Sequence, residues 1–166
     1  FRPSVIFGVG DSFLSLFANF VRGLPFFPLG YGQAKFQPVF VGDVAECFLR
    51  SIEARESFGK AYDLVGPQVY TLRQLVDYVN TLCGKRCRVI ALPEFWALMQ
   101  AGIMSLLPKP PLTPDNLRSM EVDSVSPDAV MPFGVTPTPL ESVAPSYILG
   151  RAPRVHYDRM RVRAGR

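Results

Sequence analysis

Residues 33–54 read QAKFQPVFVGDVAECFLRSIEA, an extended run that passes into a helix, and the junction between them decides the fold. FQPVFV, at 36–41, is rich in β-branched and aromatic residues and reads as a strand. Asp43 then offers an N-cap: its carboxylate can accept first-turn amides, and Glu46, three residues on, can reach back to the cap's own N–H. Val44, Ala45, Phe48, Leu49 and Ile52 follow at the spacing of one helical face. The stretch therefore predicts a strand, a tight turn and a helix folded back on a sheet.

Working outward, 166 residues is one domain's length, about 100–200 being usual. A composition of 48% hydrophobic and 19% charged is that of a chain able to bury a core. The sequence opens at Phe1 on what reads as a strand already under way, so a piece of a longer polypeptide is expected. The basic, apolar and small-residue succession of a signal peptide is not found at the start. The cysteine count is odd, Cys47, Cys83 and Cys87, and a metal site would need further Cys or His ligands, whereas the single histidine, His156, stands far off. Free thiols in a reducing compartment, and no metal, are expected. Residues 151–166 carry six arginines against Asp158, so the pI of 9.2 belongs to this basic tail, expected to be mobile, and residues 1–150 form the folded part. No aromatic interleaving or nucleic-acid fold signature accompanies the charge, and nucleic acid is not an expected partner.

Along the chain, strands are predicted near 2–7, 36–41, 61–65 and 88–92, and helices near 12–23, 43–54, 72–83, 94–107, 114–121 and 139–149. The turn GVGDSF at 8–13 has two glycines of a dinucleotide fingerprint but Phe13 at the third, where close helix packing requires glycine. Phe13, Phe17, Phe20 and Phe27 suit either a core or an apolar pocket wall. Thr71 with Gln74 forms a second capping box and Gly84 ends that helix, while Thr138, Pro139 and Glu141 read as a third box. Pro145 should kink or shorten the last helix and Gly150 should end it. The uncharged run between Glu94 and Lys109 is shorter than the roughly 20 residues of a membrane span, which implies burial in the protein or under a partner.

The succession RPSVIFG (2–8), FQPVFVGDVA (36–45), GKAYDLVGP (59–67) and YTLRQLV (70–76) resembles the C-terminal half of the extended and atypical short-chain dehydrogenase/reductases, the NAD-dependent epimerase/dehydratase family. Within it the series is most similar to the group containing the NAD(P)-binding accessory subunit of respiratory complex I and its bacterial homologues. The resemblance implies an α/β fold: the C-terminal part of a Rossmann-like doubly wound sheet plus the smaller substrate-binding lobe. It places the glycine-rich loop and the catalytic Y-x-x-x-K pair upstream, so no catalytic residue is assigned here. Pro3, Ser4 and Val5 would line the nicotinamide end of the cofactor through backbone groups, and Phe13, Phe17, Lys35 and Phe36 would face the substrate. Val5 and Phe36 replace the Asn and Arg of similar sugar-nucleotide epimerases, and neither can pair with a sugar or a phosphate, which disfavours a UDP-sugar.

Three functions follow as expectations. The first is a fragment forming the nicotinamide end and substrate side of the cleft in an NAD(P)-binding protein, with NADP or NAD bound by the full-length parent and not tightly by this fragment. The second is the substrate-binding half of an NAD(P)-dependent oxidoreductase or epimerase. The third is a protein-interaction module using 94–107 or the tail. The expected location is bacterial cytoplasm or the periphery of a membrane-bound respiratory complex.

Overall fold

A computed structural model describes residues 1–105, 114–126 and 130–150; the basic tail, 106–107 of the fourth predicted helix and the proline-rich connector after it lie outside the described residues. In chain order the elements are β1 (Arg2–Pro3), β2 (Ile6–Phe7), α1 (Leu14–Gly23), β3 (Phe26–Leu29), β4 (Lys35–Phe36), β5 (Val39–Phe40) and α2 (Val41–Glu53). Then come β6 (Asp63–Leu64), β7 (Tyr70–Thr71), α3 (Leu72–Leu82), β8 (Arg88–Ala91), α4 (Glu94–Met104), α5 (Pro114–Ser119) and α6 (Leu140–Ile148), with 3-10 turns at Arg55–Ser57 and Pro132–Gly134. The chain divides into two compact units, Phe1–Ser15 with Gln37–Val69 and Val125–Arg166, and Leu16–Phe36 with Tyr70–Ser124. The class is α/β, as the sequence predicts.

In the first unit the predicted strand 2–7 changes partner halfway. β1 runs parallel to β6, with Arg2 opposite Asp63, and β2 runs parallel to β5, with Ile6 opposite Val39. Between them the Ser4 N–H donates to Leu64 at 3.0 Å, and the Val5 carbonyl accepts from Val39 at 2.9 Å. Phe7, Val39, Val44, Cys47, Leu64 and Met131 are buried, as are Leu140, Ala144, Tyr147 and Ile148 of α6.

The junction that decides the fold is a strand leading into a helix, but Asp43 is not its cap. Phe40, with ψ 134°, holds the cap position without a side-chain bond, and α2 begins at Val41, which puts Asp43 inside the first turn. Glu46 pairs with Arg50 at 2.7 Å instead of reaching back. The buried face is set accordingly by Asp43, Val44 and Cys47, while Phe48, Leu49 and Ile52 are 53%, 63% and 73% exposed. Starting the helix earlier leaves the predicted apolar stripe on its outer side, where Phe48 meets Phe1 at a centroid distance of 4.5 Å.

The third capping box also fails. α6 starts one residue later than Pro139 would require, Pro139 itself occupies the cap, and the Thr138 hydroxyl is engaged elsewhere. Pro145 lies inside α6, which nevertheless continues to Ile148. Gly150 ends it at φ 68°, where a left-handed residue is needed.

In the second unit β3 pairs parallel with β8, Phe26 opposite Arg88, and β4 pairs antiparallel with β7, Lys35 opposite Thr71. Neither β3 nor β7 was expected from the sequence. β3 contains Pro28, and a proline is tolerated in a strand hydrogen-bonded on one side only, as β3 is among the described residues. α3 carries the predicted box, with Thr71 Oγ1 accepting from Gln74 N at 3.2 Å and Gln74 Oε1 from Thr71 N at 2.7 Å. Its end is a Schellman motif: Gly84 N donates to Thr81 O at 3.0 Å and Lys85 N to Asn80 O at 3.3 Å, with Gly84 at φ 61°. Ala97 of α4 is buried, but Phe95 and Trp96 are exposed, so the helix is covered on one side and not all round. Among the described residues no helix is long and apolar enough to cross a membrane.

Two substitutions separate a local from a long-range constraint. Thr71→Ala removes a helix cap and should lower unfolding free energy by about 0.5–2 kcal/mol in urea titration. Gly66→Ala should cost more, because its Cβ would lie 1.8 Å from the Pro38 carbonyl oxygen and the two segments must separate to admit it.

Candidate functional site

In parallel sheets ligands gather at the carboxyl ends of the strands. β1 and β6 both run out there, at Ser4 and Val65, and a buried glutamine joins the segments around them. Gln37 is 6% exposed. Its Nε2 donates to Gly66 O at 2.8 Å and its Oε1 accepts from Ser126 N at 3.0 Å. Its own N–H donates to Ser4 Oγ at 3.4 Å, and its carbonyl accepts from Gly66 N at 3.2 Å. Ser126 Oγ donates onward to Asp63 Oδ2 at 3.1 Å, and Asp63 holds Arg2 at 2.9 Å. Each polar atom of the buried amide has a partner, which orients it and avoids the roughly 1–3 kcal/mol cost of an unsatisfied group. Gln37 and Gly66 also line a cavity of about 440 Å³ with Val65, Met131, Val135 and Thr136.

Two carboxylates serve the architecture of this unit. Asp43 accepts from the Thr138 N–H at 2.6 Å and from its hydroxyl at 2.9 Å, tying the start of α2 to the segment that leads into α6. Asp11 accepts from Ser15 N at 2.9 Å and from the Tyr147 hydroxyl at 2.5 Å, tying the N-terminal turn of α1 to α6 itself. Gly10 at φ 90° makes the tight turn before it. Burial, and secondarily the field of Asp43, pushes the Cys47 thiol above its ordinary pKa, and burial does the same to Cys87. Neither is poised as a nucleophile, since reactivity needs the thiolate.

The predicted cofactor residues Pro3, Ser4 and Val5 are consecutive at the partner switch, with Ser4 in contact with Gln37. The predicted substrate residues are distributed differently. Phe13 is half-buried and lies in the first unit. Phe17 lies in the second and lines an apolar cavity of about 270 Å³ together with Phe20, Phe27, Leu72, Ala97 and Met120. Phe17 and Phe20 meet Phe27 at centroid distances of 6.2 and 5.3 Å. Phe36 is buried in β4, and Lys35 beside it is exposed, 4.0 Å from Asp123.

One spacing went unnoticed in the sequence: Tyr31 and Lys35 read Y-x-x-x-K. Such a pair converges only when both residues stand on one helical face. Here Tyr31 has φ 52° in a turn and Lys35 belongs to a strand, so the spacing creates no catalytic pair. Gln37, Gly66, Ser126 and Thr138 were also missed. The only sequence signal was a polar Gln37 inside an otherwise apolar strand run. Among the described residues no group of three or more His, Cys, Asp or Glu could hold a metal.

No model of a known protein family matches the sequence. The chain is 33% identical over 146 residues to NADH dehydrogenase (ubiquinone) 1 alpha subcomplex subunit 9, mitochondrial, of Mus musculus, a match covering 84% of this chain and 38% of the relative. It is 30% identical over 143 residues to the protein of the same name in Arabidopsis thaliana, covering 80% of this chain and 36% of the relative. The chain thus spans well under half the length of these relatives. Among solved structures, a Burkholderia cenocepacia protein described as an epimerase superposes with TM-score 0.54 at 20% identity, over 89% of this chain and 44% of that one. A UDP-glucuronic acid 4-epimerase variant from Bacillus cereus, in complex with a UDP-sugar analogue and NAD, gives 0.50 at 14% identity, over 89% and 44%. The fold is that of the Rossmann-like epimerases.

The Asp43 clasp has a measurable consequence. Asp43→Ala removes a charged acceptor of two hydrogen bonds and should cost about 2–4 kcal/mol, whereas Thr138→Ala keeps the backbone bond and should cost about 1 kcal/mol. Their effects should be non-additive by at least about 0.5 kcal/mol in a double-mutant cycle, and hydrogen exchange in α6 should accelerate in Asp43→Ala. Full additivity would dissolve the clasp.

Proposed function

We propose that this chain, a C-terminal segment of the extended and atypical short-chain dehydrogenase/reductase kind resembling the complex I accessory subunit, carries the nicotinamide end of an NAD(P) site and the substrate-side lobe of a longer protein. The observation that carries the reading is the partner switch at Pro3–Ser4–Val5, at the carboxyl end of a parallel strand pair and pinned there by the buried Gln37. At such a place backbone groups face a ligand, and backbone N–H and C=O groups can meet the carboxamide of a nicotinamide ring. Residues 1–150 are the folded strands and lobe; Phe13, Phe17, Lys35 and Phe36 are proposed to stand on the substrate side, with Phe17 in the wall of the second unit's cavity.

Pyrophosphate needs backbone amides of a glycine-rich loop at a helix N-terminus. GVGDSF does not supply that loop, because its third glycine place is Phe13. The longer protein is therefore the proposed holder of NADP or NAD, and this chain supplies orientation more than affinity. An enzymatic role as an oxidoreductase or epimerase would need its acid–base pair from outside these residues, since Tyr31 and Lys35 do not share a helical face. The relatives named as NADH dehydrogenase subunits suggest a protein partner, met through the 94–107 segment or the basic tail, and a place at the periphery of a respiratory complex or in bacterial cytoplasm.

Titration of NADPH fluorescence against this chain and against the full-length protein tests the reading. The full-length protein should bind, and the 166-residue chain should show at least a hundredfold weaker affinity or none. Equal, micromolar binding by both would place the pyrophosphate site within these residues and overturn the proposal.

A further inference from the structure

The cavity of the second unit is not explained by a nicotinamide cofactor. It is bounded by α1, β3, the start of α3 and α4, all within Leu16–Phe36 and Tyr70–Ser124. Its walls are mainly leucine and phenylalanine side chains, and among the described residues Gln100 is the one lining residue with a side-chain amide or charge. Close-packed interiors leave few voids larger than a water molecule. An apolar void holds water poorly, since water needs two to four polar partners, and instead takes a hydrocarbon: a cavity of about 150 Å³ accepts benzene. At about 270 Å³ this one is nearly twice that size. Phe26 and Leu24, both partly exposed, also belong to the wall, so the cavity can be entered from solvent.

We propose that this cavity is a binding site for an uncharged alkyl chain of roughly eight to ten carbons, the size set by comparison with the benzene-sized cavity. A sugar or a phosphate is excluded by the same walls, because each hydroxyl or charge would lose its water without gaining a partner. Phe27, stacked against Phe20 and met edge-on by Phe17, gives the chain flat faces and no polar competitor. None of its residues belongs to the Ser4–Gln37 site, but Phe17 is the residue already placed on the substrate side, so the inference rests on that part of the proposed function and names its ligand class.

The full chain, labelled with 13C at its methionine methyls, is titrated with 1-decanol and, in parallel, with UDP-glucose. The Met120 methyl, which lines the cavity and is assigned by Met120→Leu, should shift and saturate with decanol, and melting temperature should rise with it. UDP-glucose should move neither. Leu24→Trp, an enlargement at an exposed position of the wall, should fold with an unchanged spectrum elsewhere and weaken decanol at least tenfold. A still Met120 resonance in folded wild type, decanol affinity unchanged in Leu24→Trp, or displacement of decanol by UDP-glucose would each overturn the assignment.

Discussion

The structure of the first unit depends on one buried amide. Gln37 lies buried between β4 and β5, and its side chain and backbone together bond to Ser4, Gly66 and Ser126. Three segments distant in sequence are thereby fixed to the strand that Gln37 introduces. The arrangement requires that the Gly66 backbone pass close to Pro38, which only a residue without Cβ allows. A network of this kind rigidifies when complete and is costly when any member is lost. Through the Ser4 hydroxyl the network reaches the point where the first strand changes partner.

Around this centre the charged groups are used for anchoring. Asp43 and Asp11 both reach α6 or its approach, so the last helix is held at each end by a carboxylate and not by hydrophobic packing alone. The buried thiols of Cys47 and Cys87 are displaced toward the neutral form.

Local signals in the sequence were read correctly where the structure is local. The Thr71–Gln74 box and the Gly84 terminator need only residues within a turn of one another, and both have the predicted geometry. The D-x-x-E pattern at Asp43 is equally local in form, but the helix begins at Val41 because the strand feeds straight into it, and Asp43 finds a stronger partner 95 residues away. No periodicity could announce that bond. β3 was hidden because prolines are judged by their effect in paired strands, whereas this one pairs on a single side. The Y-x-x-x-K at Tyr31 shows the converse: a spacing without its helix carries no chemistry. The resemblance in four motifs identified the α/β fold, while Gln37, Gly66 and Ser126 stayed invisible because each matters only through the others.

The account is tested most directly by the structure of the full-length protein with NADP or NAD bound. It predicts the nicotinamide ring against the backbone of Pro3, Ser4 and Val5, with the Gln37 amide still bonded to Gly66 and Ser126 and the pyrophosphate held by residues outside this chain. A nicotinamide bound elsewhere, or a pyrophosphate seated on the Gly8–Asp11 turn, would contradict it.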